Sequence, residues 1–77
     1  MAVTRTPEGT EARAQVMRDL TRRIQGEYAE MPGLNMTLSQ ARRLLAIDEA
    51  TCTAVFRTLI KRGVLRRTTD GRYVRAH

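Results

Sequence analysis

The sequence predicts a mainly α-helical domain of three helices that ends in a small β-hairpin. Three separate stretches place apolar residues three and four positions apart, which is the spacing of one buried helix face. Asp70-Gly71 then stands between two short runs of strand-forming residues, a strong signal for a hairpin. With 77 residues, the chain makes one domain, near the lower size at which a core suffices without disulfides or metals.

The first helix is predicted to run from Glu11 to Glu30, and Pro32-Gly33 ends it. Its apolar stripe consists of Met17, Leu20, Ile24, Tyr28 and Met31, with Ala12 and Val16 widening it toward the start. This stripe is longer than is needed to cover two short helices. The excess is the feature of the sequence that favours a homodimer through the first helix.

The start of this helix has two interpretations. One start is Thr6-Pro7-Glu8, with proline at the first helical position. The other is Thr10-Glu11, which Gly9 favours. We therefore expect residues 1–9 to form a flexible N-terminal tail and residues 10–77 to form the domain.

The second helix is predicted to begin after Thr37. Thr37 and Gln40 have the spacing of a capping box, in which the Thr hydroxyl accepts from the Gln40 backbone N–H and the Gln side chain reaches back. Apolar residues then follow at the spacing of one helix face: Leu38, Ala41, Leu44, Leu45 and Ile47.

A third helix is predicted from about Asp48 to Arg62. Asp48 is a cap candidate, and Gly63 suits the position after the helix end. The apolar repeat consists of Cys52, Val55, Phe56, Leu59 and Ile60. Its first four members turn inward, and the outward face holds Ala50, Thr53, Ala54, Arg57, Thr58 and Lys61. Cys52 is interpreted as a core side chain, with a redox sensor as the alternative.

Two capped helices with a short connection form a helix-turn-helix, to which the hairpin adds a wing. Asp70-Gly71 predicts a two-residue type I′ turn, which needs positive φ at both residues. Leu65 and Val74 are expected to pack on the helices. Four arginines are expected on the other face of the hairpin or at its tip: Arg66, Arg67, Arg72 and Arg75.

The segment before the second helix and Tyr73 are also expected to contribute to the hairpin region. Residues 34–36 are a candidate third strand beside the hairpin. Tyr73 is expected to lean on an arginine stem or on the core rather than to stack on a base.

Three segments carry a resemblance to known proteins: TLSQARRL (residues 37–44), LIKRGVLRR (59–67) and DGRY (70–73). They are similar to the bacterial winged helix-turn-helix regulators of the MarR and IclR type, over residues 10–75. The resemblance implies a small transcriptional regulator at the bacterial nucleoid, and in larger relatives the first helix also pairs two subunits. Leu45-Ala46-Ile47 stands where many simple helix-turn-helix motifs have a turn glycine, which winged members often lack.

The net charge of +6 is placed unevenly along the chain. Residues 1–37 carry five arginines and five acidic residues, whereas residues 38–77 carry nine basic and three acidic residues. All the excess therefore falls on the helix-turn-helix and the hairpin, as expected of a protein that binds a polyanion.

The candidate contacts with double-stranded DNA follow from the third helix lying in the major groove. Arg57 would fork onto a guanine, and Thr53 and Ala54 would meet thymine methyl groups. Arg67 and Arg72 are the wing arginines best placed to grip the DNA backbone or enter the minor groove. Contacts with phosphate are expected from Thr37, Ser39, Gln40, Arg43, Thr58 and Lys61.

Several alternatives stay open. The outward face of the third helix is equally well read as a solvated face, and Arg42 and Arg43 as solvated charges. A winged helix can also serve as a protein-interaction or assembly module that docks an acidic partner, or it can bind RNA. Dependence of affinity on duplex sequence separates these functions.

Other classes of function lack the residues they need. The sole histidine is the terminal His77, and no nucleophile pair, phosphate loop or metal cluster is evident, so catalysis, a metal and a cofactor are not expected. One cysteine forbids an internal disulfide. No apolar run near 18 residues and no signal-peptide pattern occur, so we expect a cytoplasmic protein without membrane contact or a small-molecule ligand domain.

Overall fold

A computed structural model describes the chain from residue 8 to residue 76, with side chains from residue 11. The elements follow in the order α1 (Glu8–Glu30), α2 (Leu38–Leu45), α3 (Glu49–Lys61), β1 (Leu65–Arg67) and β2 (Tyr73–Arg75). Three helices followed by an antiparallel two-stranded hairpin confirm the predicted winged helix-turn-helix layout. Within the described range, none of the helices has the length and apolar character needed to cross a membrane.

α1 begins at Glu8, which is earlier than the start at Thr10-Glu11 that Gly9 favoured. The open alternative at residues 6–8 is the better one. Glycine costs little in the first turn, because the backbone N–H groups there have no helical partner in any case. Glu8 and Gly9 thus belong to the helix and not to a tail. The rest of the predicted tail, residues 1–7, and the terminal His77 lie outside the described residues.

The core lies between α1 and α3, with α2 and the start of the hairpin closing it. Cys52, Val55, Phe56 and Leu59 of α3 are 0–1% exposed, so the predicted inward face is confirmed and Cys52 is a core side chain. The other buried apolar residues are Ile24, Tyr28, Met36, Ala41, Leu45 and Leu65.

Four residues of the predicted apolar stripes are not in the core. Val16, Met31, Leu44 and Ile60 are 38–50% exposed. Each lies at the margin of a stripe or past the end of a helix, where the neighbouring element no longer covers it. Thr21, which the apolar pattern missed, is 5% exposed because it faces α3 between Met17 and Ile24.

The predicted capping box at the start of α2 is present. Thr37 Oγ1 accepts from the Gln40 N–H at 3.1 Å, and Gln40 Oε1 accepts from the Thr37 N–H at 2.9 Å. At the other end of α2, Ala46 has φ of 55° in the left-handed region, and the N–H groups of Ala46 and Ile47 both donate to the Arg42 carbonyl oxygen. Alanine therefore occupies the backbone conformation that a turn glycine would favour.

Both ends of α3 are capped as predicted. Asp48 Oδ1 accepts from the Thr51 N–H at 3.0 Å. At the C-terminus, Gly63 has φ of 76°, its N–H donates to the Ile60 carbonyl oxygen, and the Val64 N–H donates to that of Leu59. This pair of bonds is a Schellman motif, which turns the chain sharply into β1.

The wing turn differs from the prediction. The strands pair Leu65 with Arg75 and Arg67 with Tyr73, and the next pair, Thr68 and Arg72, encloses a three-residue loop. Only Gly71 in this loop has a positive φ, of 86°, so the two-residue type I′ turn is wrong. Three-residue hairpin loops commonly consist of a turn followed by a left-handed residue, which is the position that Gly71 occupies.

The faces of the hairpin also differ from the prediction. Directly paired residues share a face and neighbours in a strand alternate, so Val74, paired with Arg66, lies opposite to Leu65. Tyr73 takes the inner position instead, and its ring contacts Phe56. Arg75 pairs with Leu65 and shares its face away from the tip, so its expected place on the other face or at the tip is wrong. The third strand is reduced to a bridge between Met36 and Tyr73.

Candidate nucleic-acid interface

The outward face of α3 presents two exposed cations. Arg57 and Lys61 are exposed, and neither has an acidic partner within the described residues. Thr53 is half-buried on the same side of the helix. Cys52, Val55, Phe56 and Leu59 hold the opposite face of α3 in the core. Thr53, Arg57 and Lys61 therefore point to solvent, as the helical period predicts.

Two other predicted contacts of α3 are differently placed. The Thr58 hydroxyl donates to the Ala54 carbonyl oxygen at 2.9 Å, which leaves no hydroxyl hydrogen for a phosphate. Ala54 lines an open groove between α3 and the first half of α1, together with Ala50, Thr51, Ala12, Val16 and Met17. Its methyl group is therefore at the edge of the outward face rather than at its centre.

The start of α2 offers backbone donors for an anion. The first helical bond runs from the Ala41 N–H to the Thr37 carbonyl oxygen, and the capping box uses the Gln40 N–H. The N–H groups of Leu38 and Ser39 precede that first bond and are free of a helical partner. These two amides at the positive end of the helix are a suitable site for a phosphate oxygen.

A shallow depression adjoins this helix start. It has a volume of about 270 Å³ and is lined by Ser39, Arg42, Arg43 and Ile47. Ser39 and Arg43, both predicted to contact phosphate, thus lie together on one exposed surface. Arg42 lies toward the turn, where its charge helps to lower the pKa of Asp48, after the larger effect of the hydrogen bonds from Thr51.

Hydrogen bonds within the chain hold the wing arginine Arg72. Its Nη1 donates to Asn35 Oδ1 at 3.0 Å, and its Nε lies 3.7 Å from Asp70 Oδ2. Arg67 extends toward the turn, since a Cβ at Gly71 would lie 3.6 Å from Arg67 Nη2. Arg66 and Arg75 are exposed.

The loop of the wing is held by Thr68. Its hydroxyl accepts from the Arg72 N–H at 3.0 Å and donates to Asp70 Oδ1. The hydrogen bond from Thr68 is the main cause of a lowered pKa at Asp70, so this carboxylate stays charged beside Arg72. The loop therefore presents Arg72 in a defined position instead of as a free side chain.

Most basic residues between positions 38 and 76 lack a counter-ion within the described part of the chain. Within residues 11–76, the ion pairs are Arg22–Asp19 at 3.8 Å and Arg72–Asp70 at 3.7 Å. No acidic oxygen of that part lies within 4.0 Å of the basic groups of Arg42, Arg43, Arg57, Lys61, Arg62, Arg66, Arg67 and Arg75. An exposed surface of this composition attracts a polyanion.

Asn35 and Thr68 are the residues of this surface that the sequence analysis missed. Asn35 is 37 positions from Arg72, so no local pattern links them. Thr68 could have been found, because Thr and Asp two residues apart before a glycine are typical of turns with side-chain to backbone hydrogen bonds.

Comparison of the chain with protein-family models, with curated proteins and with solved structures finds no match.

Proposed function

We propose that the protein binds double-stranded DNA in a sequence-specific manner and acts as a small bacterial transcriptional regulator at the nucleoid. The observation that carries this proposal is the set of exposed cations without internal partners on α2, α3 and the hairpin. Structural arginines are commonly paired with a carboxylate, whereas a phosphate-binding surface keeps its cations available.

Each element has a separate task in this proposal. α3 enters the major groove, where the Arg57 guanidinium can donate to O6 and N7 of one guanine and Thr53 can contact a neighbouring base. The free amides of Leu38 and Ser39, with Arg43 beside them, bind the phosphate backbone. The wing, with Arg72 held by Asn35, grips the backbone or the adjacent minor groove.

Duplex binding measured against salt concentration tests this function. A fluorescent genomic duplex library is titrated at roughly 50 and 200 mM salt, and log K is expected to fall by about 0.9 per phosphate neutralised for each decade of salt. Five such contacts predict a loss of affinity of several hundredfold, on the order of 10²–10³, across this range. A flat response would contradict the proposal.

The same titration separates the two other candidate functions. A single-stranded or duplex RNA that binds more tightly than any DNA duplex would favour an RNA-binding winged helix. Absence of binding to all nucleic acids at the lower salt would favour a module that docks an acidic protein. A DNA duplex selected from the library and bound more tightly than its scrambled version is the result that the proposal expects.

We also propose that two copies pair through the first half of α1 to read a palindrome. Val16 is 50% exposed and lines the open groove with Ala12 and Ala50. An antiparallel pairing centred on Val16 would place Arg13 opposite Asp19 of the second copy. Light scattering with a palindromic duplex, whose half-sites lie about 34–36 Å apart, should give two chains per duplex; one chain per duplex at every concentration would contradict this.

A further inference from the structure

A second basic depression lies where the middle of α1 meets the end of α3, and of the cations counted above it shares only Arg62. It has a volume of about 200 Å³ and is lined by Arg18, Thr21, Arg22, Gln25 and Arg62. The four α1 residues have the spacing of one helix face. Arg62 follows Arg57 by five residues, which places it about 140° further round the α3 axis, on the side of α1.

Thr21 gives this depression a hydroxyl on a largely buried residue. Thr21 is 5% exposed, and it is the only polar residue in the buried class among residues 11–76. No hydrogen bond joins its hydroxyl to residues 11–76. The hydroxyl still touches solvent, because every fully buried side-chain oxygen or nitrogen of the described part has a partner. Thr21 lines the depression, so its hydroxyl can donate its unused hydrogen to a group bound there.

The three arginines keep most of their charge available. Arg18 donates to the neutral amide oxygen of Gln15 at 2.8 Å, and Arg22 lies 3.8 Å from Asp19 in an exposed pair that is worth little. Arg62 has no acidic oxygen within 4.0 Å in residues 11–76. The terminal carbonyl oxygens of α3 accept from Gly63 and Val64, which reduces the negative potential at this helix end.

We propose that this depression binds one phosphate dianion, either inorganic phosphate or the terminal phosphate of a small molecule. Its lining supplies guanidinium N–H groups, a hydroxyl and an amide NH₂, and it contributes no carboxylate. Its volume is below the range of about 300–1,000 Å³ of pockets that hold a drug-sized ligand, so it suits a single phosphate group rather than a whole nucleotide. The bound anion joins α1 to the end of α3.

Thermal unfolding of the full chain in phosphate and in chloride, at equal ionic strength and pH 7.5, tests this site. A saturable rise in Tm of about 5 °C with inorganic phosphate is expected, since a ligand that binds only the folded state stabilises it. Arg62→Gln should weaken the apparent affinity at least about tenfold, as expected for loss of a charged hydrogen-bonding partner. Thr21→Val keeps the shape of the side chain and should weaken the affinity several-fold. Glycerol phosphate in place of phosphate shows whether a phosphate ester also binds.

Arg23→Gln is the matched control, because Arg23 is exposed on α1 and does not line the depression. Amide NMR shifts induced by phosphate should fall on residues 18–25 and 62. Equal weakening in Arg23→Gln, a rise in Tm without saturation, or shifts confined to Leu38, Ser39 and Arg57 would overturn the proposal. Duplex DNA that produces the same shifts at residues 18–25 would also overturn it, by assigning the depression to the DNA interface.

Discussion

The phenolic hydroxyl of Tyr28 donates a hydrogen bond to the backbone carbonyl oxygen of Tyr73 over 2.6 Å. The same oxygen accepts from the Met36 N–H at 3.3 Å, and the Tyr73 ring meets the Phe56 ring edge-on with centroids 4.5 Å apart. One residue of β2 is therefore held by α1, by the segment before α2 and by α3. These contacts fix the wing relative to α3, as the proposed binding to a DNA groove and its neighbouring backbone requires.

Tyr28→Phe should lower the free energy of unfolding by about 0.5–1.5 kcal/mol, the usual worth of one internal hydrogen bond. The substitution keeps the buried ring, so no large cavity forms. The Tyr73 carbonyl oxygen keeps its hydrogen bond from the Met36 N–H, so it is not left unpaired. Urea unfolding at pH 8 measures the change. Unchanged stability would mean that the Tyr28–Tyr73 bond does not anchor the wing.

The same residue predicts a loss of stability at alkaline pH. Burial raises the pKa of Tyr28 to about 12, against about 10 in the unfolded chain. Between these values Tyr28 has lost its proton in the unfolded state but keeps it in the folded state. The contribution of neutral Tyr28 to the free energy of unfolding is therefore complete below pH 10 and declines as the pH rises through 12. It amounts to a loss of about 1.4 kcal/mol at pH 11.

Urea unfolding of the wild type and Tyr28→Phe across pH 8–11 checks this prediction. Tyr73 and Lys61 are common to both proteins, so the difference isolates Tyr28. The stability advantage of the wild type at pH 8 should be gone at pH 11. Parallel curves for the two proteins would show that Tyr28 does not titrate differently on folding.

Ala46→Gly should stabilise the fold. Ala46 has φ of 55°, and a left-handed residue with a Cβ costs roughly 1–2 kcal/mol. Glycine removes that cost but loses more backbone entropy on folding. The free energy of unfolding is therefore expected to rise by about 0.5–1 kcal/mol. Ala14→Gly, within α1, is the control and should destabilise by a similar amount. A loss of stability in both variants would contradict the left-handed turn.

Arg72→Ala should weaken binding to all duplexes about equally and make the salt slope shallower by about one, because a hairpin tip mostly meets phosphate. Asn35→Ala is the matched variant: it removes the hydrogen bond that holds Arg72 but keeps the cation. It should lower affinity with the salt slope unchanged. Fluorescence anisotropy with duplexes that differ only in flanking A-tracts measures both effects, and a loss confined to A-tract sites would instead place Arg72 in a narrow minor groove.

The helix ends could be predicted from the sequence because the interactions that form them are local. The Thr37–Gln40 box, the Asp48 cap and the Gly63 motif each join residues at most five positions apart. The wing turn could not be predicted from the sequence, because Asp-Gly suits both two-residue and three-residue loops. The register of strand pairing and the side-chain bonds of Thr68 decide between them.

The candidate site was predictable where one helix alone determines exposure, as for Arg57 and Lys61. It was not predictable where two distant elements meet. Ala54 faces a groove because α1 passes beside it, and Arg72 is held by Asn35, a contact across 37 positions. The assignment of Val74 to the inner face failed for the same reason, because only the strand register shows that Tyr73 takes that position.

The proposed function depends most on α3 reading base edges, and selection of duplexes from a randomised library tests this most directly. The wild type and Arg57→Ala are selected in parallel after thermal melts show that both fold, with Arg23→Ala as a control outside the interface. Arg57→Ala should cost about 1–3 kcal/mol on the best wild-type site and relax the preference at one base position. Arg23→Ala should preserve the preference at every position. If Arg57→Ala and Thr53→Ala both leave the selected sequence intact, α3 does not lie in the major groove.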